Sequence, residues 1–169
     1  MIKFKELRWS NAFSYGANNK LSLCESPLVQ LVGKNGYGKT SIALIIEEVL
    51  FNKNSKGTKK SAILNRYVKD KAYTIELDFS IDSDEYTVST KRGSTQTVSL
   101  VMNGVDISSH TSTGTYKQIE DLLGWDHKKF TQIVNQSSAS SLEFLTATDS
   151  NRKKFLIELL DLTQYVAAG

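Results

Sequence analysis

Leu28-Val29-Gln30-Leu31-Val32-Gly33-Lys34-Asn35-Gly36-Tyr37-Gly38-Lys39-Thr40-Ser41 is the stretch on which the fold turns. Leu28 to Val32 is short and nearly all apolar, the pattern of a strand covered on both faces. Gly33 to Thr40 then satisfies G-x-x-x-x-G-K-[ST] at every fixed position. The spacing between the outer glycines makes a loop wide enough to surround a β-phosphate. The glycines let successive N–H groups point inward, and the helix that follows aims its N-terminus at the anion. Chance would place the fixed residues somewhere in such a chain about once in two hundred sequences. The context fits as well: Ser41 to Phe51 carries Ile42, Leu44, Ile45, Ile46, Val49 and Leu50, too many apolar positions for one stripe, so a largely buried helix is expected. Lys39 is expected to reach the β- and γ-phosphates and to be catalytic, with the Thr40 hydroxyl on Mg²⁺. The expected nucleotide contacts are Gly33, Asn35, Gly36, Tyr37, Gly38, Lys39, Thr40 and Ser41. The absence of an N-K-x-D run favours adenine over guanine.

On the N-terminal side, Ile2 to Trp9 alternates as a strand, Asn11 to Asn19 reads as a turn-rich loop, and Leu21 to Leu23 as a short strand. On the other side, Asn52 to Ser61 is lysine-rich and reads as a solvated loop. Ala72 to Ile81, Glu85 to Arg92 and Thr97 to Met102 alternate, and Asn103-Gly104 is a hairpin signal, because both residue types accept positive φ. An antiparallel meander is expected over 72–107. From Ser112 the pattern turns helical: Tyr116, Ile119, Leu122 and Leu123 on a helix closed by Gly124, then Phe130, Ile133 and Val134, then Phe155 to Leu162, with Asp149 or Ser150 as cap.

The whole chain sets bounds. Its 169 residues make one ordinary domain or one lobe of a larger one, and 40% hydrophobic with 23% charged residues suits a core-forming protein. No run approaches the length of a membrane span, and the N-terminus lacks the apolar core of a signal peptide. The single cysteine, Cys24, cannot form an internal disulfide, which fits a reducing cytoplasm. His110, His127 and Cys24 do not have zinc-ligand spacing. A net charge of +3 permits contact with nucleic acid without arguing for it. Ala167-Ala168-Gly169 reads as a linker remnant or truncation point, leaving 1–166 as the lobe proper.

A short meander before the phosphate loop, a longer one after its helix and then helices (113–166) is unlike the alternating βαβ of a kinase. Here the sequence resembles a family. GKNGYGKT looks like the loop of SMC-like and ABC-type DNA-repair ATPases, and Phe4 to Ser14 resembles their opening strand and N-F-x-S element. Phe130-Thr131-Gln132-Ile133-Val134-Asn135-Gln136 is similar to their Q-loop. Phe144-Leu145, Asn151 to Phe155 and Leu159 to Leu162 are like the helix that leads into a coiled coil. The resemblance spans nearly the whole chain. It is nearest to the ATPase subunit of SbcCD-type double-strand-break repair nuclease complexes, the compact bacteriophage versions above all.

The resemblance implies an α/β fold: a P-loop NTPase of ABC-ATPase head type, represented by its N-terminal lobe. It implies that Gln136 contacts Mg²⁺ and the attacking water, with Gln132 as the competing choice. Phe13 stands where many relatives place an arginine, with Lys71 or Arg66 as substitutes. The signature S-G-G segment, the acidic Walker B pair and the histidine switch belong to the family's second half and do not occur here; Leu122-Leu123-Gly124 is as near as the chain comes to the Walker B run. The implied cofactors are ATP and Mg. The implied partners are the C-terminal half of the same ATPase, a second head sandwiching ATP, a nuclease subunit and double-stranded DNA, all in the cytoplasm, the host's if phage-encoded.

Lys53, Lys56, Lys59 and Lys60 form a basic cluster suited to sequence-independent phosphate contacts, or to a merely solvated loop. The competing functional readings are the head of a chromosome-organising SMC-like or gap-repair ATPase, and a nucleotide-gated DNA clamp in which turnover is incidental.

Overall fold

The computed structural model describes residues 1–26, 28–134 and 146–159. They fall into two units, Met1–Gly124 and Trp125–Gly169. The first is built on an antiparallel sheet. Its strands are β1 (Ile2–Ser10), β2 (Asn19–Ser22), β3 (Tyr73–Ile81), β4 (Asp84–Arg92), β5 (Gln96–Met102) and β6 (Val105–Asp106), in the order β2-β1-β3-β4-β5-β6. The expected meander is therefore present, and the chain closes its first turn of sheet by pairing β1 with β3, from Ile2↔Ile81 to Ser10↔Thr74, across a bulge between Phe4 and Glu6. Asn103 and Gly104 take φ of 50° and 83° between β5 and β6, the left-handed pair their sequence calls for.

Alternation divides the sheet. Leu7, Trp9, Ile75, Leu77, Phe79, Val88 and Leu100 are buried, and helices α1 (Lys39–Phe51) and α2 (Ser112–Leu123) pack on the sheet. α1 contributes Ile45, Val49 and Leu50, all fully buried, each worth about 1.5–3 kcal/mol of transfer free energy. α2 contributes Tyr116, Ile119 and Leu123. Thr111 caps α2 by accepting from the Gly114 N–H at 3.0 Å, and Gly124, at φ 70°, ends it as expected. The alternate positions are charged. Arg8 donates to Glu76 at 2.8 Å and pairs with Asp78 and Glu6, while Lys20 pairs with Glu6.

In the second unit, α3 (His127–Ile133) is capped by Asp126, which accepts from the Lys129 N–H at 2.7 Å. Phe130 is buried there beside Trp125. α4 (Asp149–Leu159) opens with an Asp149–Arg152 ion pair at 3.5 Å, so Asp149 lies inside the first turn.

One expectation fails. Residues 28–32 are not a strand, and Leu28, Val29, Leu31 and Val32 are exposed, Leu28 and Val32 by 83% and 85%. A strand covered on both faces needs a neighbour to take its backbone hydrogen bonds and layers above and below. The antiparallel sheet of this chain supplies neither to this segment.

Candidate functional site: the phosphate loop and its supports

Gly33 to Gly38 forms an irregular loop leading into α1, exposed from Gly33 to Tyr37 and half-buried at Gly38. Gly36 and Gly38 have φ of 86° and 87°, values that L side chains rarely adopt, so the loop's shape depends on glycine at these positions. A Cβ on Gly36 would meet nothing within 4 Å, whereas one on Gly38 would lie 2.6 Å from Ser14 Oγ and 3.0 Å from the Tyr15 ring. The loop is open on one flank and supported on the other.

α1 begins at Lys39 with Gly38 as its N-cap, no side-chain cap and no acid in the first turn. No side-chain cap and no first-turn acid of α1 therefore offsets the partial positive charge at this helix end, which suits an anion. Thr40 is exposed and Ser41 half-buried in that turn. The Ser41 N–H donates back to the Gly38 carbonyl at 2.8 Å and the Tyr37 N–H to the Lys34 carbonyl at 3.3 Å. The Lys39 ammonium folds over the loop, donating to the Gly33 carbonyl at 2.6 Å and the Lys34 carbonyl at 3.0 Å. Every expected nucleotide contact from Gly33 to Ser41 thus belongs to one continuous loop and helix end. Tyr37 points out, 70% exposed.

Such a donor set fits a magnesium nucleotide. Inward-capable N–H groups and an ammonium suit phosphate oxygens, and the exposed Thr40 hydroxyl is a hard oxygen donor of the kind Mg²⁺ prefers.

The other expected residues are placed as follows. Gln136 lies outside the described residues, while Gln132 is half-buried on α3. Phe13 sits at φ 55° and donates its N–H to the Ile63 carbonyl at 2.5 Å. Arg66 and Lys71 are exposed on the segment 61–72, which is tied to the loop 11–16: Asn65 donates to the Tyr15 carbonyl at 3.0 Å and Asn11 to Asp70 at 2.9 Å. Lys53, Lys56 and Lys59 are exposed, but Lys60 is not a free cation. Its ammonium is bonded to both oxygens of buried Glu48, at 2.6 and 2.5 Å, and to the Asn52 carbonyl at 2.6 Å. Burial first of all pulls its pKa below the ordinary lysine value, and the Glu48 carboxylate works against that fall.

The polar groups that fix the far end of α1 and the back of the loop carry little sequence signal. Glu47 and Glu48 are both buried on α1. Glu47 accepts from the N–H and hydroxyl of Ser55 at 2.5 and 3.0 Å, and Glu48 from the Tyr73 hydroxyl at 2.9 Å as well as from Lys60. Burial raises the Tyr73 hydroxyl far above its usual pKa, with the Glu48 carboxylate adding to it. Tyr15 is the other residue that sequence reasoning missed, its hydroxyl donating to the Gly38 carbonyl at 3.1 Å. The one available signal was the pair of adjacent acids in an otherwise apolar helix.

Compared with known families, residues 6–168 match the AAA domain, which is nearly the whole chain. The chain belongs to the AAA domain family. It is a homologue of phage exonuclease subunit 2 proteins: 45% identical over 164 residues to the probable exonuclease subunit 2 of Escherichia phage T5, covering 97% of this chain. It is 27% identical over 164 residues to exonuclease subunit 2 of Enterobacteria phage T4, covering 95% of this chain. It is 25% identical over 165 residues to the DNA double-strand break repair Rad50 ATPase of Methanocaldococcus jannaschii, covering 95% of this chain and 16% of that protein. The chain spans only 27% and 29% of the lengths of the two phage relatives.

Among solved structures, one described as concerning ATP-driven dimerization and DNA-stimulated activation of SMC ATPases aligns with a TM-score of 0.67 at 21% identity, covering 92% of this chain and 98% of that one. The Smc head domain of Pyrococcus furiosus aligns with a TM-score of 0.62 at 20% identity, covering 99% of this chain and 48% of that one. With the AAA domain match they show the expected fold, an SMC head-like P-loop α/β fold with an antiparallel sheet. Among the described residues, no helix is long and apolar enough to cross a membrane.

Proposed function

We propose that this chain is the N-terminal lobe of a DNA double-strand-break repair and recombination ATPase, which binds Mg-ATP, dimerises head to head on it, binds double-stranded DNA and regulates a partner nuclease. The uncapped, acid-free N-terminus of α1 behind the Gly33–Thr40 loop carries the reading. Gly36, Gly38 and Lys39 would hold the β- and γ-phosphates, with the Lys39 ammonium exchanging the Gly33 and Lys34 carbonyls for phosphate oxygens. Thr40 would hold the metal. Bound magnesium neutralises the charge that develops on the phosphates as the terminal bond breaks. Gln136 would orient the attacking water beside it. The acidic Walker B pair that would supply the water's general base does not occur in this sequence, so that group is assigned to the C-terminal half.

The exposed run Leu28–Val32 supports that division, because an apolar segment of this kind is stable only when paired and covered. Its covering is assigned to the C-terminal half of the same ATPase. Lys53, Lys56 and Lys59 are the DNA-facing cations of the reading, and the phage exonuclease relatives make a nuclease subunit the natural partner.

The test measures ATP hydrolysis by the lobe alone and after addition of the matching C-terminal segment. Restored turnover and ATP-dependent dimers are expected; no gain on adding that segment would sink the split-site reading.

A further inference from the structure

The loop 11–16 supplies none of the groups assigned to ATP, metal or DNA, yet it is one of the more heavily fastened segments of the chain. The Tyr15 N–H donates to the Ala12 carbonyl at 3.0 Å, and its own carbonyl accepts from Asn65 at 3.0 Å. Its ring stands edge-on to the buried Trp9, with centroids 5.1 Å apart. Three sides of this tyrosine are thereby set, and the remaining one faces the phosphate loop.

There its hydroxyl donates to the Gly38 carbonyl at 3.1 Å, the same oxygen that accepts the Ser41 N–H at 2.8 Å. A carbonyl oxygen has room for both. In a planar trans peptide the carbonyl and the following N–H point in opposite directions. Anchoring the Gly38 oxygen toward Tyr15 and Ser41 therefore turns the Lys39 N–H the other way, out from the helix end. That N–H is one of the donors that no helical carbonyl can satisfy. The Tyr15 ring and Ser14 together close the space behind Gly38, where a Cβ would lie 3.0 Å from the ring and 2.6 Å from Ser14 Oγ.

We propose that Tyr15 is a positioning residue of the nucleotide site: its hydroxyl locks the Gly38–Lys39 peptide so that the Lys39 N–H is presented to the terminal phosphates. The proposal rests on the nucleotide-binding reading of the Gly33–Thr40 loop. Tyr15 touches neither phosphate nor metal in this scheme. It acts by fixing a dipole before the anion arrives, so that no reorientation is needed on binding. A locked peptide holds every phosphate state alike, which strengthens binding without changing the chemical step.

The experiment uses the native full-length protein and compares wild type, Tyr15→Phe and Lys39→Ala. Phenylalanine keeps the ring against Trp9 and removes only the hydroxyl. Calorimetric titrations with Mg-ATP and with magnesium tripolyphosphate are followed by steady-state kinetics and a thermal melt. Tyr15→Phe is expected to weaken both ligands by the same factor, about three- to tenfold, the scale of one net hydrogen bond. KM should rise with it, while kcat stays at the wild-type value and the melting midpoint falls by no more than a few degrees, the scale of that one hydrogen bond. Unchanged affinities in Tyr15→Phe, with binding lost in Lys39→Ala, would overturn the proposal and leave the nucleotide site standing. A fall in kcat at unchanged KM, or a fall in melting midpoint well beyond the few degrees of one hydrogen bond, would overturn it too. Undiminished binding by Lys39→Ala would remove the nucleotide reading itself.

Discussion

Replacing Lys60 with methionine separates a structural lysine from a DNA-binding one. Methionine preserves most of the aliphatic stem and deletes the ammonium that Glu48 and the Asn52 carbonyl share. Glu48, 1% exposed on its side chain, would then keep the Tyr73 hydroxyl as its direct side-chain donor among the described residues. Breaking a buried pair from one side destabilises by about 3–5 kcal/mol when no water can enter. The Lys60 side chain is itself 31% exposed, so water can reach part of the vacated space. The loss should accordingly sit just below that range, about 2–3 kcal/mol.

Hydrogen exchange reads that loss locally, at the amides of α1 and β3 in the full-length protein. Exchange through opening of this unit should accelerate by about thirty- to a hundred-and-fortyfold. The double variant Lys60→Met with Glu48→Gln should recover to within about 1 kcal/mol of wild type, because no uncompensated charge remains. Unchanged exchange in Lys60→Met, together with a fall in DNA affinity, would refute the assignment and return Lys60 to the DNA-facing set.

Other outcomes follow from the same geometry. Lys39→Ala should abolish ATP binding and ATP-dependent dimerisation together; dimers that persist with ATP would contradict the role given to this ammonium. Gly38→Ala should lose nucleotide affinity by more than Tyr15→Phe does, since it adds strain at φ 87° to a clash with Ser14, and equal affinities in a titration would show that the loop can remodel. Changing Lys53, Lys56 and Lys59 to alanine should flatten the dependence of DNA affinity on salt by about one unit of log–log slope for each phosphate no longer neutralised, whereas an unchanged slope would place DNA elsewhere. Glu6 is held below its ordinary pKa of 4.5, by Lys20 first and then Arg8. Its contribution is present above pH 4.5 and is lost as pH falls through the lower folded value. Glu6→Gln should therefore shallow the acid side of a stability–pH profile, and an identical slope would show that these pairs add nothing.

What could be read ahead of the structure was whatever local pattern decides. The strands β3 to β5 announce themselves by alternation, the β5–β6 turn by Asn103-Gly104, and α2 by its apolar spacing and Gly124. The phosphate loop was legible because its chemistry needs particular residues at fixed spacing. Leu28–Val32 shows the limit of that reasoning. Its composition describes a covered environment that the antiparallel sheet of this chain does not supply, so the expected strand does not form.

Lys60 fails differently. In a run with Lys53, Lys56 and Lys59, nothing local distinguishes the lysine that turns inward. Only the position of Glu48 on the buried side of α1 decides it. Tyr15 was illegible for the same reason: its partner carbonyl at Gly38 is brought up by the fold and carries no side-chain signature.

The segment 52–60 invites a practical misjudgement. Rich in lysine and asparagine, with Gly57 at its tip, it resembles the kind of surface loop into which an epitope tag or a fluorescent reporter is spliced. It is fastened to adjacent residues of one helix, Ser55 to Glu47 and Lys60 to Glu48, and Asn54 clasps Thr58 at 2.7 and 3.1 Å. An insertion there would pull on the helix whose other end carries Lys39 and Thr40. The tight reversal at Asp82 and Ser83, exposed and remote in sequence from that helix, is the better graft point for a probe meant to leave nucleotide binding undisturbed.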